Sequence, residues 1–563
     1  MSATATDALR ELEALRYDFS PESAARKLEL LQDLDGRRLP SAEQVLELHQ
    51  LLGFVRALPE TIELREQAQR MAETFEERPD LRRFRKALAD TGIAGTNLNF
   101  RFYWLTAIWL LPRWAEQLTI DWKSFENRDK LVGWLHLLVP YSESPALDSY
   151  GHTAKEWINY LKGPGETDAG FVMRRFEALP VETPLREKVY EDLDIPIVLA
   201  PGKDTPAKGR ELWRESPVVL QTKPPARGRP NLKRAIPKEQ FTVTEVDARR
   251  GRQLIDLADA CMVTRHRDLL IFLNADKRDV RMIDFGDGLQ FACMGAVPER
   301  RLMLEAVYGF LTLMNGVPIG YVLCSAFFGS AEIAYNVFDN YRGAGAAHTY
   351  ARVLAMVRGL FGVDTFAVDP YQLGHDNREG MDSGAWWFYY KLGFRSHDPA
   401  IKALVREELA TMKADPGYRT PPRRIHDLAA EYMYLHLGKS RRDVLGMLDL
   451  GAIGMHVTHT LANRAGGERE QGIADCADET AKLLGQAKWR ALPKGERLAW
   501  ERWAPLVLSI PDVSDWSASE RHALREVVRA KGGPRESTFV TLFDKHTRLR
   551  QALLRLAATQ PTR

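Results

Sequence analysis

The sequence predicts an α+β protein in which a mixed-sheet domain lies between two helical regions. Two observations lead to this class. Apolar residues recur at three- and four-residue steps through residues 1–199 and again through residues 400–563, which is the period of amphipathic helices. Between Phe241 and Pro399, short apolar segments bounded by turn residues alternate with helical stretches, which is typical of a mixed sheet.

Residues 1–199 are expected to form an all-helical domain. DALRELEALRYDF and TIELREQAQRMAETFEE show the helical period, and Asp121 and Thr167 are placed as N-caps of later helices. The most apolar stretch, Phe102–Trp114, has roughly ten uninterrupted apolar residues, well below the ~20 that a membrane span requires. It is therefore interpreted as a buried helix.

Residues 200–240 are rich in proline, lysine and arginine and have little periodicity, so they are predicted to form a linker. Its basic run, PPARGRPNLKR, could contact an anion or a nucleic acid, but a solvated linker is the favoured interpretation.

Residues 241–399 are expected to form the mixed-sheet domain. FTVTEVD is predicted as a strand and RRGRQLIDLADACM as a helix, followed by the strands LQFACMGAVP, MLEAVYGFLTLMNG, VPIGYVLCSAFFG and AEIAYNVFDNY. The Asn315–Gly316 dipeptide indicates a hairpin between two of them. A helix over 344–361, the strand DTFAVDP and the helix SGAWWFYYKLG complete the domain.

Residues 400–563 are predicted to be helical again. The helical segments are IHDLAAEYMYLHLG, RRDVLGMLDLGAIGMHVTHTLAN and ASERHALREVVRAK.

Composition limits the function classes. The formal net charge of +2 gives no overall attraction to nucleic acid or to anionic membranes. The four cysteines are scattered without CxxC spacing, which argues against a zinc site or a disulfide framework and favours a reducing compartment. A cytoplasmic protein without a bound metal is expected.

A glycine-containing loop is the strongest candidate binding motif. Arg342, Gly343 and Gly345 precede an alanine-rich helix. The N-terminus of a helix presents unpaired N–H groups and a partial positive charge, and small residues let a phosphate approach the backbone. Such a loop is also compatible with a simple strand-to-helix turn.

The surroundings of the loop favour the first interpretation. Asn340–Gly345 resembles the Gln/Arg-x-x-Gly-x-Gly/Ala pyrophosphate loop of the GNAT superfamily of N-acetyltransferases, and the flanking elements fall in that superfamily's order. Further along the chain, Ala385–Phe394 resembles its closing helix and strand. The resemblance covers residues 241–399. It departs from the superfamily at Asn340, which replaces the usual Gln or Arg, and in the long segment DPYQLGHDNREGMDSG between strand and helix.

The resemblance implies a GNAT-like domain that binds acetyl-CoA or another acyl-CoA as substrate, with no metal, and transfers the acyl group to an unknown amine acceptor, a small molecule or a protein. No membrane or nucleic-acid partner is expected. The resemblance implies the following cofactor-binding residues: Asn336, Val337, Phe338, Arg342, Gly343, Ala344, Gly345, Ala346, Ala347 and Asn377.

The same resemblance implies the catalytic residues. Tyr389 aligns with the tyrosine that protonates the leaving thiolate, and a phenol suits that role because its pKa lies near ~10. The general base is left open between Glu332 and His375, with Glu305 and Asp376 as further candidates. Some members of the superfamily use water alone.

Two other functions remain open. The chain could be a binding or scaffold protein that keeps the fold without turnover, which the missing base and the long helical flanks would favour. A transferase that takes aminoacyl groups from charged tRNA is the third alternative, supported only by the basic linker around Arg227–Arg234.

Overall fold

The computed structural model describes residues 4–343 and 345–559. These residues contain 26 α-helices and 11 strands, which confirms an α+β protein with a mixed sheet.

The helices are α1 Ala5–Ala14, α2 Pro21–Asp35, α3 Ala42–Ala57, α4 Ile62–Glu73, α5 Pro79–Phe84, α6 Trp104–Trp114, α7 Arg128–Leu138, α8 Ser144–Ser149, α9 Ala154–Leu161, α10 Asp168–Glu177, α11 Thr183–Leu193, α12 Leu232–Ala235, α13 Ala248–Val263, α14 Leu270–Leu273, α15 Ala346–Phe361, α16 Pro370–Leu373, α17 Arg378–Asp382, α18 Ala385–Lys391, α19 Pro399–Ala414, α20 Pro422–Leu428, α21 Leu450–Ala465, α22 Arg469–Leu484, α23 Lys494–Leu508, α24 Ala518–Lys531, α25 Glu536–Lys545 and α26 Thr547–Ala558. The strands are β1 Leu98–Phe100, β2 Leu118–Ile120, β3 Ile197–Leu199, β4 Thr242–Glu245, β5 Ala275–Asp284, β6 Leu289–Ala296, β7 Ala306–Met314, β8 Val317–Phe327, β9 Ser330–Val337, β10 Thr365–Val368 and β11 Met433–His436.

The chain divides into two compact units. Unit 1 contains the described residues of Met1–Pro224, Gln253–Leu273 and Leu313–Ile319, and unit 2 contains those of Pro225–Arg252, Asn274–Thr312 and Gly320–Arg563. The domain boundaries predicted near residues 199, 240 and 399 stay predictions.

Unit 1 is mainly helical, and its apolar helix faces form two hydrophobic cores. It also contains a small antiparallel sheet in the order β1-β3-β2. The prediction of an all-helical region is wrong for these three short segments. Strands of three residues are too short to show a period of two, so the sequence pattern could not reveal them.

The predicted helix starts in unit 1 are partly correct. Thr167 is the N-cap of α10, because its side chain accepts a hydrogen bond from the Gly170 N–H. Asp121 is not a helix N-cap: α7 begins only at Arg128. The Asp121 carboxylate instead closes a local turn by accepting hydrogen bonds from the Lys123 N–H and the Ser124 hydroxyl. Asp side chains commonly stabilise turns in this way.

The predicted Asn–Gly hairpin connects β7 and β8. Asn315 and Gly316 have φ values of 49° and 81°, as a type I′ turn requires. Asn315 is fully buried. Its side-chain amide donates to the Ala57 and Val219 carbonyls, and its side-chain oxygen accepts from the Val219 N–H.

Replacing Asn315 with alanine is expected to destabilise the protein by about 3 kcal/mol, because the variant loses three buried hydrogen bonds and an asparagine that tolerates positive φ. Denaturant unfolding followed by tryptophan fluorescence measures the change. Asn159→Ala is the control, since Asn159 is exposed on α9 and its replacement should change the unfolding free energy by less than about 0.5 kcal/mol. Equal stability of the two variants would contradict the assigned role.

Unit 2 contains most of an eight-stranded sheet in the order β11-β10-β9-β8-β7-β6-β5-β4. β9 and β10 are parallel and are joined by α15, whereas β10 pairs with β11, and β8 with β9, in antiparallel orientation. Every residue of β6 and of β10 is buried. Strands β6 and β10 are therefore covered on both faces, whereas all four residues of β4 are exposed.

Two strands of this sheet differ from the sequence-based expectation. β5, in the charged segment ADKRDVRMID, was not predicted. The segment IHDLAAEYMYLHLG was predicted to be one helix, which is wrong: α20 ends at Leu428, and β11 follows and pairs with β10. Tyrosines favour strands, and the exposed edge of β10 supplies the hydrogen-bonding partner that local sequence does not reveal. Similarly, α21 begins only at Leu450, later than predicted.

The four cysteines are all buried, and none forms a disulfide. None of the helices in the described part of the chain combines the length and the hydrophobicity that a membrane crossing requires.

Candidate functional site

The glycine-containing loop lies between β9 and α15, at the carboxyl end of β9. A short 3-10 turn over Asp339–Tyr341 leads into it. Gly343 and Gly345 have φ values of 129° and 95°, which non-glycine residues rarely adopt, so both glycines are required by the backbone. Ala344, one of the predicted cofactor-binding residues, lies outside the described residues.

Gly345 is the N-cap of α15, and Ala346 and Ala347 form its first turn. No described side chain caps this end of the helix. The Ala346 N–H donates to the Gly343 carbonyl at 3.4 Å, and the dipole of this 16-residue helix places a partial positive charge at the same terminus. This end has the properties expected of an anion-binding terminus.

Arg342 makes contacts on both sides of the loop. Its guanidinium donates to the Val337 carbonyl at 3.0 Å and pairs with Asp339 at 2.8 Å and with Glu379 of α17. The three side chains are between 40% and 82% exposed, and ion pairs this exposed contribute about 0–1 kcal/mol. A diphosphate could therefore displace the carboxylates from Arg342 at little energetic cost.

The linker passes directly beside the loop. A Cβ atom added to Gly345 would lie 3.0 Å from Cβ of Pro225. Any side chain at position 345 would therefore be strained twice, by its positive φ and by this contact. Arg227 and Arg229, two residues and four residues further along, are exposed.

The parallel pairing of β9 and β10 is short. It joins Thr365 to Ser330, Phe366 to Ala331 and Ala367 to Glu332, and then ends. β9 continues to Val337 with β8 as its partner, and Asn336 and Val337 oppose Tyr321 and Gly320. We name the point after Glu332 and Ala367, where the pairing ends, the β9–β10 fork.

The predicted backbone donors lie along this part of β9. Beyond the fork, the edge of β9 that faces away from β8 is not paired with β10. Asn336 and Val337 are partly exposed there, and Phe338 is buried. Their proposed role toward a thioester stays a prediction.

Glu332 lies at the fork itself and has an unusual environment. Burial and the negative charge of Asp369 raise the pKa of the Glu332 carboxyl to about 7, although the Tyr432 hydroxyl, which donates to the carboxylate at 3.1 Å, acts in the opposite direction. A carboxyl group with a pKa near 7 gains and loses a proton at physiological pH. This is the property that a general base requires.

Asp369 and Tyr432 are site residues that the sequence analysis missed. Asp369 directly follows β10 and caps α16, and burial raises its pKa. Tyr432 directly precedes β11 and is separated from Glu332 by 100 positions. Only the pairing of β11 with β10 brings it to the fork, and that segment had been predicted to be helical.

A cavity opens beside Tyr432. Its volume is about 320 Å³, and its lining includes Asp398, Glu431, Tyr434 and Arg442 as well as Tyr432. The cavity thus carries two carboxylates, and Tyr432 contacts both the cavity and Glu332.

Tyr389, the predicted acid, lies on α18 in an aromatic cluster. Its ring packs edge-on against Tyr350 and Phe394, with centroids 5.5 Å and 5.6 Å away. Burial, followed by the negative charge of Asp369, raises the pKa of Tyr389. The phenol is therefore protonated at neutral pH, but it is a weaker acid than a free phenol, which is less favourable for the predicted role of proton donor to a thiolate. The negative charge of Asp369 raises the pKa of both Tyr389 and Glu332.

The remaining candidates lie in the segment between β10 and α18. His375 follows α16 and contacts Asp376 and His426. Asn377 is the N-cap of α17: its side-chain oxygen accepts from the Gly380 N–H, and its amide donates to the Tyr371 carbonyl. Asn377 thus has a structural role, and its predicted contact with a pantetheine group stays untested.

The chain was compared with known proteins. It matches no protein-family model, no curated protein and no solved structure. Any functional assignment therefore depends on this chain's own residues and geometry.

Proposed function

We propose that the protein is an acyl-CoA-dependent N-acyltransferase of unknown acceptor. The observation that carries the proposal is Glu332, a carboxylate with a pKa of about 7 at the point where two parallel strands separate. The uncapped N-terminus of α15 at the end of the same strand supports a diphosphate site. A cytoplasmic location stays a prediction.

In the proposed reaction, Glu332 accepts a proton from the ammonium group of the acceptor. The resulting amine attacks the thioester carbon, the N–C bond forms, and the C–S bond breaks. Tyr389 donates its proton to the leaving thiolate of CoA, and the proton that the attacking nitrogen loses as it becomes an amide returns through water to the Tyr389 phenolate. The carboxylates of Asp398 and Glu431 would attract a cationic acceptor into the cavity beside Tyr432.

The diphosphate would contact the N–H groups at the start of α15 and the guanidinium of Arg342. The acyl-bearing arm would extend from this loop along β9 toward the fork, past Phe338, Val337 and Asn336. Backbone N–H groups of this strand edge would polarise the thioester carbonyl. Each role rests on the resemblance described above, applied to the positions that the structure describes.

One observation favours the non-catalytic alternative. The loop is contacted by the chain itself, since Arg342 pairs with Asp339 and Glu379, and Pro225 lies beside Gly345. A scaffold protein would keep these contacts permanently. No comparable observation favours a tRNA-dependent transferase.

Calorimetric titration with acetyl-CoA, longer acyl-CoAs and free CoA tests the proposal. We expect a micromolar Kd for the wild type and binding at least 100-fold weaker for Gly345→Arg, which inserts a side chain at the helix terminus next to Pro225. Gly362→Arg is the matched control. Gly362 ends the same helix with a φ of 71° and has open space around its Cβ position, so binding should be unchanged.

Absence of binding by the wild type would contradict the proposal and favour the scaffold alternative. Equal binding by the wild type and Gly345→Arg would place the cofactor elsewhere. If binding is confirmed, an acceptor screen that detects released thiol separates turnover from binding alone.

A further inference from the structure

We infer that His375, Asp376 and His426 form a binding site for a divalent transition-metal ion of the zinc class. One ligand atom from each residue lies within 4.8 Å of the others, the only such group of three among the described residues. The site is independent of the acyl-CoA proposal, and it differs from the sequence-based expectation that the protein holds no metal.

The distances fit a metal centre. Nε2 of His426 donates a hydrogen bond to Oδ1 of Asp376 at 3.1 Å, so a bound ion would replace that proton, and Nε2 of His375 lies 3.8 Å from Oδ2 of the same carboxylate. With bonds of about 2.1 Å, two ligands of a tetrahedral zinc ion are about 3.4 Å apart. The observed separations lie on either side of this value, so small side-chain rotations would complete the coordination.

The tautomer of His375 is fixed in the form that binds metal. Its Nδ1 lies 3.2 Å from the backbone carbonyl oxygen of His426. A carbonyl can only accept a hydrogen bond, so Nδ1 carries the proton and Nε2 keeps its lone pair. Metal-binding histidines regularly donate their second ring nitrogen to a carbonyl in this way.

The two imidazoles are also held together. Their ring centroids are 4.1 Å apart, with an angle of 31° between the planes. Each ring has the other and the Asp376 carboxylate as neighbours. Such an arrangement brings two nitrogens and one oxygen within 4.8 Å of one another, and this donor set suits zinc, cobalt or iron better than the oxygen-binding ions magnesium and calcium.

The ligands are accessible. The side chains of His375, His426 and Asp376 are 32%, 39% and 79% exposed, so an ion can enter from solvent and keep at least one position for water. His375 lies between β10 and α18, and His426 lies on α20. A bound ion would therefore tie that long segment to α20, and it would occupy the nitrogen that His375 would need as a general base.

Among the described residues, the other histidines do not form a comparable group. His456 contacts Thr559, and His459 contacts Asn463. His397 and His436 approach each other at 3.0 Å between their Nε2 atoms. The experiment must therefore show whether an ion binds at the proposed site or at this second histidine pair.

Titration of the chelator-treated full-length protein with Zn²⁺ and Co²⁺ tests the inference. We expect one ion per chain with a micromolar or tighter Kd, a visible Co²⁺ absorption spectrum that Zn²⁺ removes, and a zinc-dependent rise in Tm. Mg²⁺ should produce none of these effects. His426→Asn should bind at least 100-fold more weakly, with circular dichroism and a metal-free Tm like those of the wild type.

His459→Asn and His436→Asn are the controls, and both should keep the wild-type stoichiometry and spectrum. Absence of Zn²⁺ binding, or equal binding by His426→Asn, would overturn the inference. Loss of the ion in His436→Asn alone would place the site at the second histidine pair and would equally overturn it.

Discussion

Replacing Glu332 with glutamine is expected to lower kcat/KM for acyl transfer by at least about 100-fold, because general-base catalysis contributes about 10²- to 10⁴-fold. In the wild type, kcat/KM should rise about tenfold per pH unit below the pKa of about 7 and then level off, since only the deprotonated carboxylate accepts a proton. This ascending limb should disappear in the variant. The measurement is thiol release from the preferred acyl-CoA over pH 5–9.

The same substitution should change stability in a pH-dependent way. The folded-state pKa of Glu332 is raised above its ordinary value of 4.5, so the folded protein binds the proton more tightly and loses this stability as pH rises from about 4.5 through 7. The glutamine side chain does not titrate, so the Glu332→Gln variant does not lose stability in this way. The Tm of the variant should therefore exceed that of the wild type at pH 8 and match it near pH 5. Glu305→Gln is the control, with kcat/KM within about threefold of wild type. If Glu305→Gln lost the activity and Glu332→Gln kept it, Glu305 would be the general base.

Replacing Glu536 with alanine is expected to destabilise the protein by about 3–5 kcal/mol, because it leaves a buried cation without its partner. The Glu536 and Lys531 side chains are 0% and 4% exposed and pair at 2.6 Å. Burial raises the pKa of Glu536 and lowers that of Lys531, and their pairing opposes both shifts. Arg301, also buried, donates to the Lys531 and Gly533 carbonyls. Denaturant unfolding of the full chain measures the effect.

A double variant distinguishes the lost pair from lost packing. Lys531→Met with Glu536→Leu removes both charges of this pair but keeps the buried Arg301, which lies 3.8 Å from Glu536 in the wild type. The double variant should still be less destabilised than Glu536→Ala alone, which leaves both Lys531 and Arg301 without the carboxylate. Glu526→Ala is the control, since Glu526 is partly exposed and pairs with the partly exposed Arg525 and Arg529, so its replacement should change stability by less than about 1 kcal/mol. If Glu536→Ala unfolds like Glu526→Ala, the buried pair does not stabilise the fold.

The sequence was informative wherever structure depends on near neighbours. The Asn315–Gly316 turn, the Thr167 cap and the glycines before α15 need particular residues because of their own backbone angles or hydrogen bonds. The α15 helix shows the helical period, and strands β6 to β10 stand out as apolar runs bounded by turn residues. These features predict the elements that surround the loop.

The candidate site was less predictable because its chemistry depends on distant partners. By sequence alone, Glu332 is one of several possible bases. The charge of Asp369 and the hydrogen bond from Tyr432 distinguish it from the others. Tyr432 reaches the fork only through β11, whose few residues take their strand conformation from the edge of β10. Likewise, His426 lies far from His375 along the chain, so no spacing pattern indicated a metal group.

The short pairing at the β9–β10 fork has a consequence for motion within the sheet. Three residue pairs join β9 to β10, whereas β8 and β9 share a register from Gly320–Val337 to Phe327–Ser330. The smaller set of hydrogen bonds should open more readily, so amide protons of β10 should exchange with solvent sooner than those of β8. A ligand lying across the fork would slow that exchange, and the sheet would itself report when the site is filled.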